Sequence, residues 1–492
     1  MMLSRKEYDV DDVLLEVGQL GRYQWNLFLY FNIQQTLGAV IALCVVFIGV
    51  EPTWGCATST ASVVNDSIER CVMYEAHSCK MVVDQPSTTI VAEYDLYCSQ
   101  FYKVALSQSF YFIGMLLGAW FLGPLADKIG RRKVYLYSLI AYVITTFISA
   151  ASFSYTLFAF TRFVLGFTAA GVMITFFVIL MEIIGPDYRA MMGIASMAFF
   201  SVGVMVLPVF AYLVPNWRLL TGLSAVLGVV HLTMFRIIPE SPRWLLLKGC
   251  TDEALQVLKT LAVSNGKSPL PGVTLKKGET SERSAASMLD LFSFPAILIR
   301  TTVTIAGWFS ASFSYYGLSL GADSLSDNLY VSCALMGLVE LPGLLVCILV
   351  TDRYGRKMSL VSSLLLTGIA CICSGAVQWI SQYMTSPIVG VTMILSLTGK
   401  FAVSIAFALI YVYTSELFPT EVRNKGLGVT SVAARIGGIL APFVASLDHL
   451  SLGLPLIVMG LVPLISGLMS LLLPETKGKS LPDTLHELRN MV

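Results

Sequence analysis

The segment GPLADKIGRRK, residues 123–133, decides the fold because it ends a long apolar stretch and returns later in the chain. The apolar stretch over 104–125 leads into it. A shorter version, DRYGRK at 352–357, follows a second apolar stretch over 329–350, and the two copies lie 225 residues apart. A motif that repeats together with its apolar surroundings indicates a chain made of two duplicated halves.

Two further pairs of segments repeat at nearly the same distance. Glu182 and Arg189 lie seven residues apart, and so do Glu416 and Arg423, which follow 234 residues later. The tripeptides PES at 239–241 and PET at 474–476 are 235 residues apart. Duplicated halves of this kind enclose a substrate cavity near the middle of the membrane.

The composition requires a bilayer as part of the solvent. The chain is 56% hydrophobic and only 13% charged, whereas a soluble domain carries about 25% charged residues. About 20 apolar residues suffice to cross the hydrocarbon as a helix. We predict an all-α membrane protein whose twelve transmembrane helices form two pseudo-symmetric six-helix bundles. The predicted spans are 24–49, 104–125, 134–152, 156–182, 191–213, 219–238, 297–320, 329–350, 358–380, 387–414, 426–446 and 453–473.

The distribution of positive charge predicts the orientation. Short loops after spans 3, 5, 7, 9 and 11 hold a single basic residue, Arg218. Loops after spans 2, 4, 8 and 10 hold ten: Lys128, Arg131, Arg132, Lys133, Arg189, Arg353, Arg356, Lys357, Arg423 and Lys425. The positive-inside rule places both termini in the cytoplasm, and we expect the plasma membrane. The predicted parts are a cytoplasmic N-terminus (1–23), a first bundle (24–238), a cytoplasmic linker (239–296), a second bundle (297–473) and a cytoplasmic tail (474–492).

The loop over 51–100 is then extracellular. It holds four cysteines, Cys56, Cys71, Cys79 and Cys98, which in an oxidising compartment predict two disulfides with three alternative connectivities. The loop also holds the sequon NDS, which predicts N-glycosylation at Asn65.

The repeated charged residues have a physical use at the helix ends. A Gly allows a tight turn between adjacent helices, and an Asp can cap a helix or pair with an Arg. We therefore interpret these residues as a conformational latch rather than as topology signals only. The latch residues are Asp127, Gly130, Arg131, Arg132, Glu182, Arg189, Asp352, Gly355, Arg356, Glu416 and Arg423.

These segments resemble the motifs of the major facilitator superfamily. GPLADKIGRRK is similar to its signature loop, and RFVLG at 162–166 is similar to its fourth-helix motif. PESPRW at 239–244 and PETKG at 474–478 are shared by sugar porters and organic ion transporters. GKFAVSIAFALIYVYTSELFPTEVRN at 399–424 resembles the tenth helix of organic cation, anion and carnitine transporters. The resemblance implies the major facilitator fold.

The resemblance also bears on the substrate. The seventh-helix segment GWFSASFSYYGLSL, residues 307–320, lacks the Gln-rich motif of sugar porters. Arg435 stands in helix 11 where vertebrate cation transporters place an Asp, which is similar to the anion and carnitine branches. Helix 8 reads ELPGL at 340–344, without the Lys typical of anion transporters. The pattern is most similar to the carnitine and zwitterion branch without matching any branch fully.

Three ionisable residues lie well inside the predicted spans: Glu340, Lys400 and Arg435. A charge at the bilayer centre costs about 2.5–3.5 kcal/mol, so such residues mark partners or a wet cavity. We predict that they bind substrate, with Arg435 holding a carboxylate, although a salt bridge between Arg435 and Glu340 is the alternative. The aromatic residues Trp308, Tyr315 and Tyr411 are predicted to complete the site, since aromatic faces attract organic ammonium groups.

The sequence favours a transporter of small organic ions or zwitterions that works by alternating access. It shows no phosphate-binding Gly loop, no metal-ligand cluster and no catalytic triad pattern, so we expect no enzyme, no cofactor and no metal. The net charge of +1 does not indicate a surface that binds nucleic acid. The expected partners are the substrate and the lipid bilayer, and a coupled Na+ or H+ is left open. The alternatives are a transporter-like receptor or scaffold that binds ligand without net transport, and a sugar porter.

Overall fold

The computed structural model confirms the predicted helical membrane fold. It describes residues 7–57, 63–64, 67–78, 80–83, 88–268, 274–276, 288–325, 328–384, 389–478, 485 and 487. Within these residues, ten helices are long and apolar enough to cross a membrane, and two shorter apolar helices complete the set of twelve. In chain order, spans 1 to 12 are Arg22–Ile48, Tyr102–Ile129, Arg131–Ala150, Tyr155–Ile183, Pro186–Leu213, Trp217–Thr233, Pro295–Leu320, Leu329–Tyr354, Arg356–Ser381, Val389–Leu417, Arg423–Ala445 and Leu454–Ser470.

Span 6 ends earlier than predicted. The helix stops at Thr233, and a 3-10 turn at Phe235–Ile237 takes the place of its predicted last residues. Asn216 caps the start of this helix by accepting from the backbone N–H groups of Arg218 and Leu219. The apolar run up to Ile238 therefore includes a non-helical exit, which hydropathy alone does not separate from the helix.

Spans 2 and 4 cross with their backbones in contact. A Cβ placed on Gly166 would lie 1.8 Å from the carbonyl oxygen of Tyr111, and one on Gly114 would lie 2.0 Å from that of Phe163. Small residues let membrane helices approach this closely. The glycine of the RFVLG segment is therefore a packing residue.

A buried arginine holds span 1 where the helix is interrupted. The regular helix ends at Leu43 and resumes at Val45. Arg162 of span 4 donates from Nη1 to the carbonyl oxygen of Ile41 at 2.9 Å and from Nη2 to Oε1 of Gln108 at 2.5 Å. A carbonyl group left without its helical partner inside a membrane needs a donor from the protein, because the hydrocarbon contains no water to bind it. Arg162 thus ties spans 1, 2 and 4 together, and its partners among the described residues do not include a carboxylate.

The two halves touch near one membrane face, which we call the loop face because the 51–100 loop lies there. Ser109, at the start of span 2, donates to the carbonyl oxygen of Ile439 in span 11 at 2.7 Å. Gly337 of span 8 packs against Met205 of span 5. The opposite side, which carries the linker between the halves, is called the linker face. Contacts between the halves therefore close the molecule toward the loop face.

The first loop contains a small sheet that the sequence did not predict. Strand Trp54–Ala57 pairs antiparallel with Lys80–Val83 and with Val63–Val64. A disulfide joins Cys71 of helix Ser67–Glu75 to Cys98, and Cys56 is also disulfide-bonded. Cys79 and Asn65 lie outside the described residues. The three cysteines of this loop that the structure describes are thus all disulfide-bonded, and the pairing of the full set stays a prediction.

At the linker face, the segment before span 1 packs onto the linker. Helix Val10–Val17 buries one apolar face, and the linker contains the helix Thr251–Ser264. Oδ1 of Asp11 forms salt bridges with Nη2 of Arg189 and with Nη2 of Arg243, each at 2.5 Å. The N-terminal segment is therefore fastened to the first half by charge as well as by apolar contact.

Candidate functional site

A cavity of about 130 Å³ lies between the two halves at the depth of the buried charges. Spans 1, 4 and 5 of the first half and spans 7, 8, 10 and 11 of the second half contribute its walls. The lining residues are Gln35, Met173, Met197, Phe200, Ser201, Tyr315, Tyr316, Glu340, Leu344, Ser404, Phe407, Ala408, Tyr411 and Arg435. In this conformation the cavity has room for a ligand head group rather than for a drug-sized molecule, because drug-sized sites measure about 300–1,000 Å³.

Glu340 is the carboxylate in the cavity wall, and residues of both halves bind it. Its carboxylate is 2% exposed. Oε1 lies 2.9 Å from Nζ of Lys400, and Oε2 accepts from the hydroxyl of Tyr315 at 2.9 Å and from that of Ser201 at 2.5 Å. Ser201 belongs to the first half, so this carboxylate joins the two halves through a charge-assisted hydrogen bond.

Lys400 is fully buried and has several partners. Besides Glu340, its Nζ donates to the hydroxyl of Ser319 at 2.6 Å and to the carbonyl oxygen of Tyr315 at 3.2 Å. The same atom lies 3.3 Å from the centre of the Tyr315 ring. Lys400 therefore neutralises Glu340 from within the protein, and its ammonium group is shielded from the cavity.

Of the three ionisable residues predicted to bind substrate, Arg435 is the one that pairs with no carboxylate in the described part of the chain. It is half-buried in the cavity wall, and no ion pair reaches it from the described part of the chain. Its Nε has no hydrogen-bond partner there. The predicted alternative of a salt bridge between Arg435 and Glu340 is wrong, because Lys400 takes up that carboxylate. The guanidinium is thus free to bind a ligand.

Aromatic rings surround these charges. Tyr315 stacks on Phe407 with ring centres 5.5 Å apart, and both line the cavity. Trp308 is only 1% exposed, packs edge-on against Tyr411 at 4.2 Å and donates to Thr414 at 2.8 Å. Trp308 therefore supports Tyr411, whereas Tyr315 and Tyr411 themselves face the cavity.

The first half supplies lining residues that the sequence analysis missed. Ser201, Phe200 and Met197 of span 5, together with Gln35 of span 1 and Met173 of span 4, carry no charge. The charged residues predicted to bind substrate, Glu340, Lys400 and Arg435, all belong to the second half. The signal that could have indicated this wall is the pair of adjacent amides, Gln34 and Gln35, in the middle of span 1.

The predicted latch residues of the first half form a compact cluster at the linker face. Arg131 pairs with Glu182 and with Asp127, each at 3.3 Å. Glu240 caps span 3 by accepting from the backbone N–H groups of Arg131 at 3.0 Å and Arg132 at 3.2 Å. The hydroxyl of Ser241 donates to Glu182. The helix is therefore capped by Glu240 and not by the Asp of the repeated motif.

The second half repeats this arrangement. Arg356 pairs with Glu416 at 3.1 Å, and Thr476 donates to Glu416 at 2.6 Å. Glu475 caps span 9 by accepting from the backbone N–H groups of Arg356 at 2.9 Å and Lys357 at 3.0 Å. Both tripeptides, PES and PET, thus give a capping Glu followed by a hydroxyl that binds an acid. Because the Glu of each tripeptide binds the backbone of the loop motif in its own half, the tripeptide and the loop motif repeat together.

Gly130 and Gly355 make room for these caps. Their φ angles are +112° and +89°, a region that favours glycine. A Cβ on either residue would lie 2.6 Å from a carboxylate oxygen of Glu240 or Glu475. Glycine is therefore required both by the backbone turn and by the approach of the carboxylate.

Three predicted latch residues lie apart from these clusters. Arg189 binds Asp11 and the carbonyl oxygens of Met181 and Ile184 rather than Glu182. Arg423 donates to the hydroxyl of Thr420 at 3.2 Å. The side chain of Asp352 is exposed. The seven-residue spacing of Glu and Arg therefore does not create a direct pair in either half.

We expect replacement of Glu475 by glutamine to weaken the cap on span 9. Burial alone would raise the pKa of the Glu475 carboxyl, but the backbone N–H groups of Lys477, Arg356 and Lys357 hold that pKa below its ordinary value. Glu475→Gln should cost about 0.5–1 kcal/mol at neutral pH, because a carboxylate interacts favourably with a helix N-terminus. The measurement is the thermal unfolding of the purified protein.

The pH dependence provides the control for this prediction. The pKa of Glu475 is lower in the folded protein, so its stabilisation is present above the ordinary pKa of about 4.3 and is lost as the pH falls through the lowered value. The difference between the wild type and Glu475→Gln should therefore stay constant above about pH 5 and shrink as the pH falls below about 4.3. Glu16→Gln, at an exposed acid, should change little at either pH. A difference that does not vary with pH would contradict the assigned role of charge.

Comparison with known proteins gives a consistent picture. Residues 35–486 match the family model described as "Sugar (and other) transporter". The chain resembles the xylose transporter XylE from E. coli in an inward-open conformation, with a TM-score of 0.65 at 15% identity over 95% of this chain and 99% of that one. It also resembles the proton:xylose symporter XylE bound to 6-bromo-6-deoxy-D-glucose, with a TM-score of 0.62 at 18% identity over 94% of this chain and 99% of that one. These likenesses show the major facilitator fold.

Curated relatives share more of the sequence. Solute carrier family 22 member 15-like of Xenopus laevis is 35% identical, over 98% of this chain and 96% of that protein. The organic cation transporter protein of Drosophila melanogaster is 33% identical, over 98% and 94%. Human solute carrier family 22 member 13 is 31% identical, over 97% and 92%. The predicted resemblance to the organic ion transporters is confirmed, and the chain belongs to solute carrier family 22 within the sugar (and other) transporter family.

Proposed function

We propose that this transporter carries small organic anions and zwitterions, with Arg435 holding the anionic group of the substrate. The observation that carries the proposal is the free guanidinium of Arg435 in the cavity wall beside a Glu340 that Lys400 already neutralises. A guanidinium binds a carboxylate through two parallel hydrogen bonds. The charges of Arg435, Lys400 and Glu340 sum to one positive charge, which an anionic group balances.

The aromatic wall extends the proposal to zwitterions such as carnitine. Tyr315, Phe407 and Tyr411 line the same cavity as Arg435. Aromatic faces attract organic ammonium groups, so a molecule with both charges can place its carboxylate at Arg435 and its ammonium against the rings. The name of the Drosophila relative, an organic cation transporter protein, supports organic ions as the substrate class and leaves their sign to experiment.

We further propose that the protein lies in the plasma membrane with both termini in the cytoplasm. The disulfide between Cys71 and Cys98 supports an oxidising environment for the first loop, and the basic clusters at the linker face support the same orientation. In that orientation, the contacts between the halves close the path to the outside. Transport would proceed by alternating access, and a coupled Na+ or H+ is compatible with this scheme.

The latch residues fit the same cycle as rigid corners of each half. The cluster of Arg131, Glu182 and Glu240 lies within the first half, and that of Arg356, Glu416 and Glu475 lies within the second. Each cluster fixes the ends of several helices of its own bundle. The halves can then move as units around the cavity, as in transporters built from repeats.

The test is uptake into cells that express the chain. A panel of labelled carnitine, an aromatic monocarboxylate and tetraethylammonium separates zwitterions, anions and cations. Arg435→Gln should lower kcat/KM for the zwitterion and the anion about 100-fold, which corresponds to about 2.7 kcal/mol of lost binding energy. Arg435→Lys should retain part of the uptake, because an ammonium keeps the charge and loses the planar fork.

Surface biotinylation corrects each rate for the amount of protein at the membrane. Arg236→Gln, at an exposed arginine beyond span 6, is the matched control and should transport normally. Unchanged anion uptake in Arg435→Gln would remove Arg435 from the site. Binding of the panel without net flux in reconstituted vesicles would favour the receptor alternative, and uptake of hexoses instead would favour a sugar porter.

A further inference from the structure

The ammonium group of Lys400 has the surroundings of a bound organic cation. Nζ lies 2.9 Å from the carboxylate of Glu340, 2.6 Å from the hydroxyl of Ser319 and 3.3 Å from the centre of the Tyr315 ring. A carboxylate, a hydroxyl and an aromatic face are the groups that recognise an alkylammonium ligand. The protein therefore contains a complete cation site that one of its own side chains occupies.

This occupied site adjoins the substrate cavity. Glu340 and Tyr315 line the cavity, and so does Ser404, which lies one turn after Lys400 on span 10. Lys400 itself is fully buried. The cation site therefore forms the wall of the cavity next to Glu340.

We propose that Lys400 is a tethered cation that fills a cation subsite and thereby determines the charge selectivity of the transporter. This inference rests on the proposed function, and it identifies Lys400 as the residue that makes the transporter select anions over cations. With Lys400 in place, Glu340 is neutralised, and the uncompensated charge that a free cation meets in the cavity is the positive charge of Arg435. Without it, Glu340 and Arg435 become separate sites of opposite charge.

The same arrangement defines how a zwitterion is held. With Lys400 in place, the ammonium of a zwitterion meets the aromatic rings and not a free carboxylate, so its carboxylate at Arg435 supplies the ionic contact. When the lysine is removed, the ammonium of a substrate gains Glu340 as a direct partner. The lysine thus shifts the preference among organic ions without touching Arg435.

The first experiment uses thermal unfolding of the purified full chain. Lys400→Ala removes three carbons and the ammonium group beyond Cβ, which is the composition of n-propylammonium. We expect this variant to be less stable than the wild type, because Glu340 becomes a buried unpaired charge. Added n-propylammonium chloride, compared with equal NaCl, should raise its Tm by about 2–4 °C.

The controls separate the site from general salt or amine effects. Wild type and Lys259→Ala, at an exposed lysine of the linker helix, should not respond to n-propylammonium. The double variant Lys400→Ala, Glu340→Gln should not respond either, because the carboxylate that anchors the amine is gone. If Lys400→Ala yields folded protein only when n-propylammonium is present during expression and purification, the proposal is supported. If n-propylammonium raises neither the yield nor the Tm, the proposal is overturned.

The second experiment measures selectivity. Lys400→Met fills the space of the lysine stem without its charge, and tetramethylammonium uptake per surface molecule should rise about tenfold over the wild type. Lys400→Arg should keep the wild-type preference. A Lys400→Met protein that reaches the surface and still excludes cations would overturn the proposal. The unfolding result requires no transport, so a failure of the proposed function would appear as missing Arg435-dependent uptake while n-propylammonium still stabilises Lys400→Ala.

Discussion

Gly166→Ala is expected to leave little folded protein in the membrane, at a cost of about 3 kcal/mol or more. The added methyl carbon would lie 1.8 Å from the carbonyl oxygen of Tyr111 and 3.0 Å from the backbone N of Met115. These are backbone atoms of span 2, so no side-chain rotation relieves the overlap and the two helices have to separate. The measurement is the Tm and the monodisperse yield of the detergent-solubilised chain.

Gly222→Ala is the matched control for that change. Gly222 lies in span 6, and a Cβ there meets nothing within 4 Å. Alanine should be neutral or stabilise by about 0.5–1 kcal/mol, because glycine loses more conformational entropy in a helix. Equal yields of the two variants would mean that spans 2 and 4 do not pack as closely as the distances state.

The second large effect is expected for Arg162→Met. The guanidinium is 1% exposed and satisfies the carbonyl oxygen of Ile41 and the amide oxygen of Gln108. Each hydrogen bond to a charged group contributes about 1.5–3 kcal/mol, so the loss should reach about 3 kcal/mol or more. Removing the charge relieves some desolvation, but the acceptors beside the interruption of span 1 remain buried. Thermal unfolding in detergent measures the loss.

Arg300→Met supplies the comparison for Arg162→Met. Arg300 is half-buried and donates to one carbonyl oxygen, that of Leu417, at 3.1 Å. Its loss should cost about 1.5 kcal/mol, at the lower end of that range, because Arg300 makes a single bond and is partly exposed. Arg162→Lys should fall between wild type and Arg162→Met, since it keeps the charge and loses the fork. Equal destabilisation by Arg162→Met and Arg300→Met would contradict the role of Arg162 in joining three helices.

The fold could be predicted from the sequence because it depends mainly on the length and position of the apolar runs along the chain. Spans of about 20 apolar residues must be helices in a bilayer, so the twelve helices could be placed from composition and length. Their ends were less accurate where an apolar run leaves the helix, as at Ile238 after span 6. The small sheet over Trp54–Ala57 and its partners went unpredicted, because strand pairing in a loop depends on distant contacts.

The charged residues of the candidate site could be predicted from the sequence, but the ion pairs and hydrogen bonds between them could not. Glu340, Lys400 and Arg435 stand out because charge inside a span is costly. Which cation neutralises Glu340 depends on how spans 8, 10 and 11 are rotated, and no spacing in the sequence gives that rotation. The same limit applies to Glu240 and Glu475. Their capping role requires knowing that the chain returns to the start of spans 3 and 9 more than 100 residues later.

The hydrogen bond from Ser201 to Glu340 has a kinetic consequence. It connects the halves in the middle of the membrane, beside the cavity. If the halves separate there when the closed side opens, this bond has to break, and a low dielectric strengthens a hydrogen bond to a carboxylate. We therefore expect the lifetime of the closed state to depend on how strongly Lys400 and Tyr315 bind the carboxylate of Glu340. The turnover rate of the carrier is thus linked to the electrostatics of its own binding site.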